Sequence, residues 1–275
     1  RRDAILSVVL IWVAAAVFGA IPFVYGAGMS VPDAIFETAS GLTTTGATVI
    51  GDIEGTLSRA LLLWRSLIQW LGGMGSVVLF VAVFPSIGAG GKHMFGEEVP
   101  GTMSEGLQPR IADTGRTLWK IYAAFTLIER GVLYLLGMSS FEALCHALTT
   151  MSTGGFSTRD ASVGGFNSAS IEFAIAIFML IGSVNYNLYF AALRGKSPKV
   201  IFRSLEIRVF VVVVALCVLV LTAGLLEIHI TLFQSFRYAF FMVATTVSST
   251  GYGTDAYMDY PSPMLGVVMF MMFMG

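Results

Sequence analysis

Three short stretches concentrate hydroxyls and glycines in an otherwise apolar chain: GLTTTGATV at 41–49, LTTMSTGGFST at 148–158 and ATTVSSTGYGT at 244–254. Glycine admits backbone conformations closed to other residues, so consecutive carbonyls can turn to one side. The hydroxyls add a further layer of oxygens. Several such segments around one axis would give stacked oxygen rings that replace the water shell of an ion. A single stretch of this kind reads as a polar loop; three of them, each between long apolar runs, read as an internal repeat. Aligned on Thr-Gly, they superpose Thr45-Gly46, Thr153-Gly154 and Thr250-Gly251, with Ala39, Ala147 and Ala244 at one upstream position and Phe36, Leu144 and Phe241 at another.

The rest of the chain must hold these segments. Of its 275 residues 56% are hydrophobic and 12% charged, against about 25% charged in soluble domains. That excess of apolar surface predicts an all-α polytopic membrane protein. Spanning helices are expected at 5–23, 57–85, 118–136, 171–192 and 210–226, with a further apolar run starting at Met264. The basic pair Arg1-Arg2 before the first run imitates a secretory leader, but no small-residue cleavage pattern follows, and the run reads as a first membrane helix. Before each hydroxyl-rich stretch lies an apolar run too short to cross: 34–40, 141–148 and 232–244. Ser30 is placed to cap the first of these, with Pro32 and Asp33 in its first turn. Each is expected to enter partway and aim its carbonyl end at the filter. The repeating unit is therefore helix, half-helix, filter, helix. Units are expected at 1–87, 110–193 and, incomplete, 205–275, joined by polar links at 88–109 and 194–204. Carbonyl-lined sites usually have fourfold surroundings, so the repeat predicts a fourth unit beyond Gly275 and no competent pore from three alone, since filter backbone would face lipid.

Charge placement orients the chain. Arg1, Arg2, Lys92, Arg110, Arg116, Lys196, Lys199 and Arg203 fall on the links, whereas Asp52, Glu54, Asp160, Asp255 and Asp259 fall on the filter side with only Arg59 and Arg159. The links are expected in the cytoplasm and the filter mouths outside. Acidic residues at that mouth, Asp52, Glu54, Asp160 and Asp255, would concentrate cations. Arg65, within an apolar run, should be paired or near an interface. Glu129 and Arg130, being adjacent on a helix, do not face the same way. Asn185 and Asn187 read as interhelical glue or cavity lining, and the glycines of LGGMG at 71–75 as a surface for close helix approach.

The composition also excludes functions. A net charge of −1 and the lack of an aromatic-interleaved basic patch give nucleic acid no site. Cys145 and Cys217 read as buried thiols, and His93, His146 and His229 have no ligand spacing, so neither a metal centre nor a catalytic set is expected. The run Gly88–Gly91 lacks the Lys-Ser/Thr continuation of a phosphate loop, so nucleotide control would need a partner. Two alternatives to an ion pathway remain: a secondary transporter of a small solute or cation, which also uses broken helices, and a non-conducting membrane assembly subunit.

The filter stretches, Gln69-Trp70-Leu71-Gly72-Gly73-Met74-Gly75, Glu98-Val99-Pro100-Gly101 and the run from Asp113 to Tyr122 together resemble the Trk/Ktr/HKT superfamily of potassium transporters, most of all the membrane subunits of bacterial Trk potassium uptake. The resemblance covers essentially the whole chain. It implies four membrane–pore–membrane units in pseudo-fourfold array and K+ as the transported ion, with no cofactor. It implies filter glycines Gly46, Gly154 and Gly251, and K+-binding carbonyls on Thr44, Thr45, Ser152, Thr153, Ser249 and Thr250. It further implies a homodimer in the bacterial cytoplasmic membrane and a ring-forming cytosolic nucleotide-binding regulatory subunit. A gating loop is implied in the second helix of the third unit, which begins at Met264. Only Gly251-Tyr252-Gly253 has the full Gly-Tyr-Gly of potassium channels, so the ring should be irregular and discrimination against Na+ weaker.

Overall fold

The computed structural model of the chain describes residues 2–87, 107–195, 197, 199–228 and 231–273. Within these it is all helix and loop: α1 (Arg2–Ala27), α2 (Val31–Leu42), α3 (Ile53–Thr56), α4 (Arg59–Ile87), α5 (Leu107–Leu135), α6 (Ser140–Met151), α7 (Ala169–Ser183), α8 (Tyr186–Arg194), α9 (Lys199–Arg203), α10 (Leu205–Leu225), α11 (Leu232–Val247) and α12 (Ser262–Met272). A motif recurs three times. A long helix is followed by a shorter one folded against it and then by a third: α1–α2–α4, α5–α6–α7 and α10–α11–α12.

The short helices are the expected half-helices, each longer than the apolar run suggested because the first residues of the hydroxyl-rich stretch continue the helix, to Leu42, Met151 and Val247. The side chains of Ser30, Ser139 and Thr231 accept from the backbone N–H groups of Asp33, Glu142 and Gln234, which fixes where each helix begins. Their interior faces are buried, α6 almost throughout from Ala143 to Met151.

By length and composition, Leu6–Ala27 and Leu205–Leu225 can cross a membrane. The run expected at 171–192 as one span is instead broken: Ala169–Ser183 and Tyr186–Leu193 meet at 83°. Asn185 has a role other than the one expected. Asn185 caps α8 by accepting from the Asn187 backbone N–H, so it starts a new helix after the bend. The link expected at 88–109 is shorter at its far end, since α5 already begins at Leu107. His93, Lys92, Glu97 and Glu98, the Glu98-Val99-Pro100-Gly101 stretch, Lys196 and His229 lie outside the described residues.

Among the described residues, four buried apolar clusters hold the motifs together. One lies within the first motif around Phe23, Ala34 and Leu61. Another joins the first and second through Met74, Leu118, Tyr122 and Met151. The third joins the second and third through Ile175, Met179, Phe241 and Tyr252. The last fills the third motif around Leu221, Val243 and Met271. Glycine permits the closest approach. A side-chain carbon at Gly72 would overlap the Leu42 carbonyl, and one at Gly73 would fall 2.8 Å from the Ser152 Cβ. Helix α4 thus wedges against the ends of both the first and second half-helices, as small residues allow in membrane bundles.

Candidate functional site

All three half-helices end in the same way. The backbone N–H of Thr44 bonds the Gly41 carbonyl and that of Thr45 the Ser40 carbonyl, at 3.0 and 2.9 Å. In the second motif Thr153 bonds Thr150 and Gly154 bonds Thr149; in the third Ser249 bonds Thr246 and Thr250 bonds Thr245. This nested pair is the Schellman ending, which requires a left-handed residue just past the cap, normally glycine. Here that residue carries a side chain every time: Thr44, Thr153 and Ser249 have φ of 55°, 52° and 56°. Left-handed non-glycine residues cost about 1–3 kcal/mol each and persist where the surroundings over-determine them, commonly at functional sites. Two residues later the backbone is left-handed again at Gly46, Gly155 and Gly251, with φ of 76°, 75° and 86°.

These endings correct the alignment of the second stretch by one residue. The helix caps match Thr43, Ser152 and Ser248; Thr44, Thr153 and Ser249; Thr45, Gly154 and Thr250; Gly46, Gly155 and Gly251. The Thr-Gly dipeptide placed Gly154 beside Gly46, but the structural counterpart is Gly155. Upstream, Leu148 replaces Ala147 as the partner of Ala39 and Ala244. The second stretch thus reads Gly155-Phe156-Ser157, with an aromatic ring in the place of Tyr252. Side chains follow the same register. Hydroxyls pair between Thr43 and Thr45 at 2.8 Å and between Ser248 and Thr250 at 2.6 Å. The Ser40 and Thr245 hydroxyls each bond a carbonyl seven residues on, at Ala47 and Tyr252.

The three segments converge. A side chain at Gly46 would overlap the Gly154 carbonyl oxygen and come 3.7 Å from that of Thr250. One at Gly155 would overlap the Thr250 carbonyl oxygen, and one at Gly251 would meet nothing within 4 Å. The first segment abuts the second as the second abuts the third, which is a single rotational step used twice.

Buried polar side chains brace this convergence from behind. Gln69 on α4, fully buried, donates to the Gly154 carbonyl at 2.7 Å and accepts from the Phe156 N–H at 3.2 Å, so one amide clamps both sides of Gly155. Arg65, one helical turn earlier, is buried and bonds Glu37 at 2.7 Å and the Ser157 carbonyl at 3.0 Å, its guanidinium over the Phe156 ring. Glu37 in turn accepts from the Thr48 hydroxyl and the Val49 N–H. The expected pairing of Arg65 is therefore met by an acid on the first half-helix, with the Ser157 carbonyl of the second hydroxyl-rich stretch as a further partner. At the position of Glu37, the second half-helix has His146, which bonds the Ser157 hydroxyl at 3.1 Å. Arg159 bonds Glu142 and the Gly165 carbonyl, and Arg237 forks onto Glu172. Burial works to raise the pKa of Glu142, but the Ser139 hydroxyl and then Arg159 hold it below the ordinary carboxylate value.

The acidic residues expected at the mouth are tied into loops. Asp52 accepts from the Gly55 N–H, Asp160 from the Ile53 N–H at 2.6 Å, and Glu54 from the Asp160 N–H. They join the first and second motifs at this face, while Asp255 caps its own turn through the Ala256 N–H. Sequence reasoning did not single out Gly155, Glu37 or Ser157, and took Gln69 only as part of a motif. A signal for Glu37 existed: it is the one charged residue of the apolar run 34–40, in a unit whose spanning helix carries one embedded arginine. Among the described residues no cluster of His, Cys, Asp or Glu suits a metal ion.

A family model described as TrkH, cation transport protein, matches residues 1–275. The chain is 40% identical over 267 residues to the Trk system potassium uptake protein TrkH of Escherichia coli (strain K12), covering 94% of this chain and 55% of that protein. It is 35% identical over 283 residues to TrkG of the same strain, covering 100% and 57%. The crystal structure of the potassium transporter TrkH from Vibrio parahaemolyticus superposes with a TM-score of 0.87 at 36% identity, over 98% of this chain and 56% of that one. The chain thus spans about half the length of the relatives it matches.

Proposed function

Since the chain belongs to the TrkH family of cation transport proteins, we propose that it builds three filter segments of a gated, channel-like potassium-uptake pore. The observation that carries this reading is the repeated step by which Gly46 meets the Gly154 carbonyl and Gly155 meets that of Thr250. Dehydrated K+ is held by carbonyls of Thr44 and Thr45, of Thr153 and Gly154 in the corrected register, and of Ser249 and Thr250, with Gly46, Gly155 and Gly251 giving the backbone its freedom. A fourth segment beside Gly251 closes the ring in the full-length protein. The units run 1–87, 110–193 and 205–275, with cytoplasmic links between. The chain lies in the cytoplasmic membrane with the filter mouths and Asp52, Glu54, Asp160 and Asp255 outside, where they raise the local cation concentration. A homodimer and a cytosolic nucleotide-binding ring subunit complete the assembly. No chemical step is required; flux needs favourable entry and several weak sites.

The reading is tested by Rb+ uptake of the full-length protein in a host lacking its own potassium uptake. Gly251→Val, which forces a β-branched residue to φ of 86°, is expected to lower uptake about 10- to 100-fold, the equivalent of 1–3 kcal/mol of backbone strain. Unchanged uptake and unchanged Na+ competition would favour the assembly-subunit reading. The 83° break between α7 and α8 favours one other reading, a cation-coupled secondary transporter. That reading gains if uptake stops when Na+ and pH gradients are dissipated at a clamped membrane potential.

A further inference from the structure

The residue after each left-handed glycine differs: Ala47 follows Gly46, Phe156 follows Gly155 and Tyr252 follows Gly251. Both aromatic side chains are buried, and each lies against the half-helix of the preceding motif. A side-chain carbon at Gly41 would fall 3.2 Å from the Phe156 Cε2, so that ring sits on α2 two residues before its cap Thr43. Thr150 holds the same place on α6, two residues before the cap Ser152, and there the side chain of Tyr252 arrives. The neighbour relation between the segments is thus repeated behind them by side chains.

The two rings are fixed by different means. Phe156 is held through its face, with the Arg65 guanidinium 3.5 Å from the ring centroid. Tyr252 is held through its oxygen, which contacts the Thr149 hydroxyl, the Thr150 hydroxyl at 3.3 Å and the His146 carbonyl at 3.4 Å. All three partners belong to α6, and the anchor does not depend on which hydroxyl supplies the hydrogen to which bond. At the next residue, the Gly253 carbonyl accepts from the Gly164 N–H at 3.0 Å, and its N–H donates to the Ser162 hydroxyl at 3.2 Å. The third segment is therefore tied to the second motif at two successive residues directly beyond Gly251. Phe156 shows that filling this place needs no hydroxyl. The phenol oxygen adds a set distance between the third segment and the second half-helix. Carbonyl oxygens held at a set spacing replace the water shell of K+ and do not close onto the smaller Na+.

We propose that the Tyr252 hydroxyl is a specificity-determining positioning group: bonded to Thr149, Thr150 and His146, it holds the Thr250 and Gly251 backbone against contraction and sets the preference for K+ over Na+ at the third segment. The proposal rests on the filter reading above.

Rb+ uptake by the full-length protein in a host lacking its own potassium uptake, with Na+ as competitor, tests it. Tyr252→Phe is expected to keep the maximal Rb+ rate within about 2-fold and to lower the Na+ concentration that halves uptake by about 3- to 10-fold, the scale of one net hydrogen bond. Thr149→Val should move Na+ competition in the same direction, and the double variant should show less than the sum of the two effects, because one contact is then removed twice. Tyr189→Phe deletes a phenol bonded to the Ile181 carbonyl, away from the three segments, and should leave Na+ competition as in the wild type. A Tyr252→Phe protein with wild-type Na+ competition, or with losses confined to yield and thermal stability, overturns the proposal; the filter reading stands if Gly251→Val still lowers uptake and fails if it does not. Should Tyr252→Phe not accumulate, Thr149→Val decides: unchanged Na+ competition rejects the proposal.

Discussion

Gly155→Ala is expected to lose Rb+ uptake by about 10- to 100-fold or more, while Gly154→Ala keeps a substantial part of it. The two glycines are neighbours, yet their surroundings differ. Gly155 has φ of 75°, and a methyl group there would overlap the carbonyl oxygen and carbon of Thr250, which are backbone atoms of the next segment. Relief would require the second and third segments to part. Gly154 has no positive φ, and the atoms nearest its added methyl would be those of the Gln69 amide. A side-chain end can withdraw, at the expense of the bonds it makes to Gly154 and Phe156. Gln69→Ala should therefore resemble Gly154→Ala, and both should loosen ion discrimination more than they reduce expression. The alternative alignment, in which Gly154 is the filter glycine, predicts the opposite order. Uptake rates and Na+ competition for the three variants distinguish them.

Arg65→Met is expected to destabilise the folded protein by about 3–5 kcal/mol, the usual effect of removing one partner from a buried pair. Glu37 would remain fully buried with only the Thr48 hydroxyl and the Val49 N–H against its charge, and the Ser157 carbonyl would lose its donor. The damage joins two segments, because Arg65 is the group through which the first half-helix holds the Ser157 end of the second hydroxyl-rich segment. Adding Glu37→Gln to Arg65→Met should recover part of the loss, since no uncompensated carboxylate then remains. Arg65→Lys should fall near Arg65→Met: an ammonium cannot bond Glu37 and Ser157 in the planar arrangement and stack on Phe156 as a guanidinium does. Monodisperse yield and thermal unfolding in detergent report these effects. An Arg65→Met protein as stable as the wild type would show that the pair is not what holds the segments together.

The elements were legible because hydropathy and capping are local. Ser30, Pro32 and Asp33 marked one half-helix start, and the hydroxyl-rich stretches marked where each half-helix stops. Membership in an ion-transport family was likewise legible, since the motifs follow one another in order across the chain. Two things were not. The register of the second filter depends on the Schellman bonds of Thr153 and Gly154, and a Thr-Gly match outweighed the helix end because two glycines adjoin there. The break at Ser183 and Tyr186 was missed since 171–192 is apolar between Glu172 and Ser183 and resumes apolar after Asn185 and Asn187, and nothing in periodicity separates a cap from a polar contact. Glu37–Arg65 and Gln69–Gly154 join residues 28 and 85 positions apart, so they emerge only from the packing of α4 between the two half-helices.

The most direct measurement is the position of a bound heavy alkali ion. Crystals of the full-length protein grown with Rb+ in place of K+ should show anomalous density on the axis between the segments, within direct coordination distance of carbonyl oxygens from the first, second and third segments. Anomalous density only beside Asp52, Glu54 and Asp160, with none where the Gly46, Gly155 and Gly251 segments converge, would contradict the account.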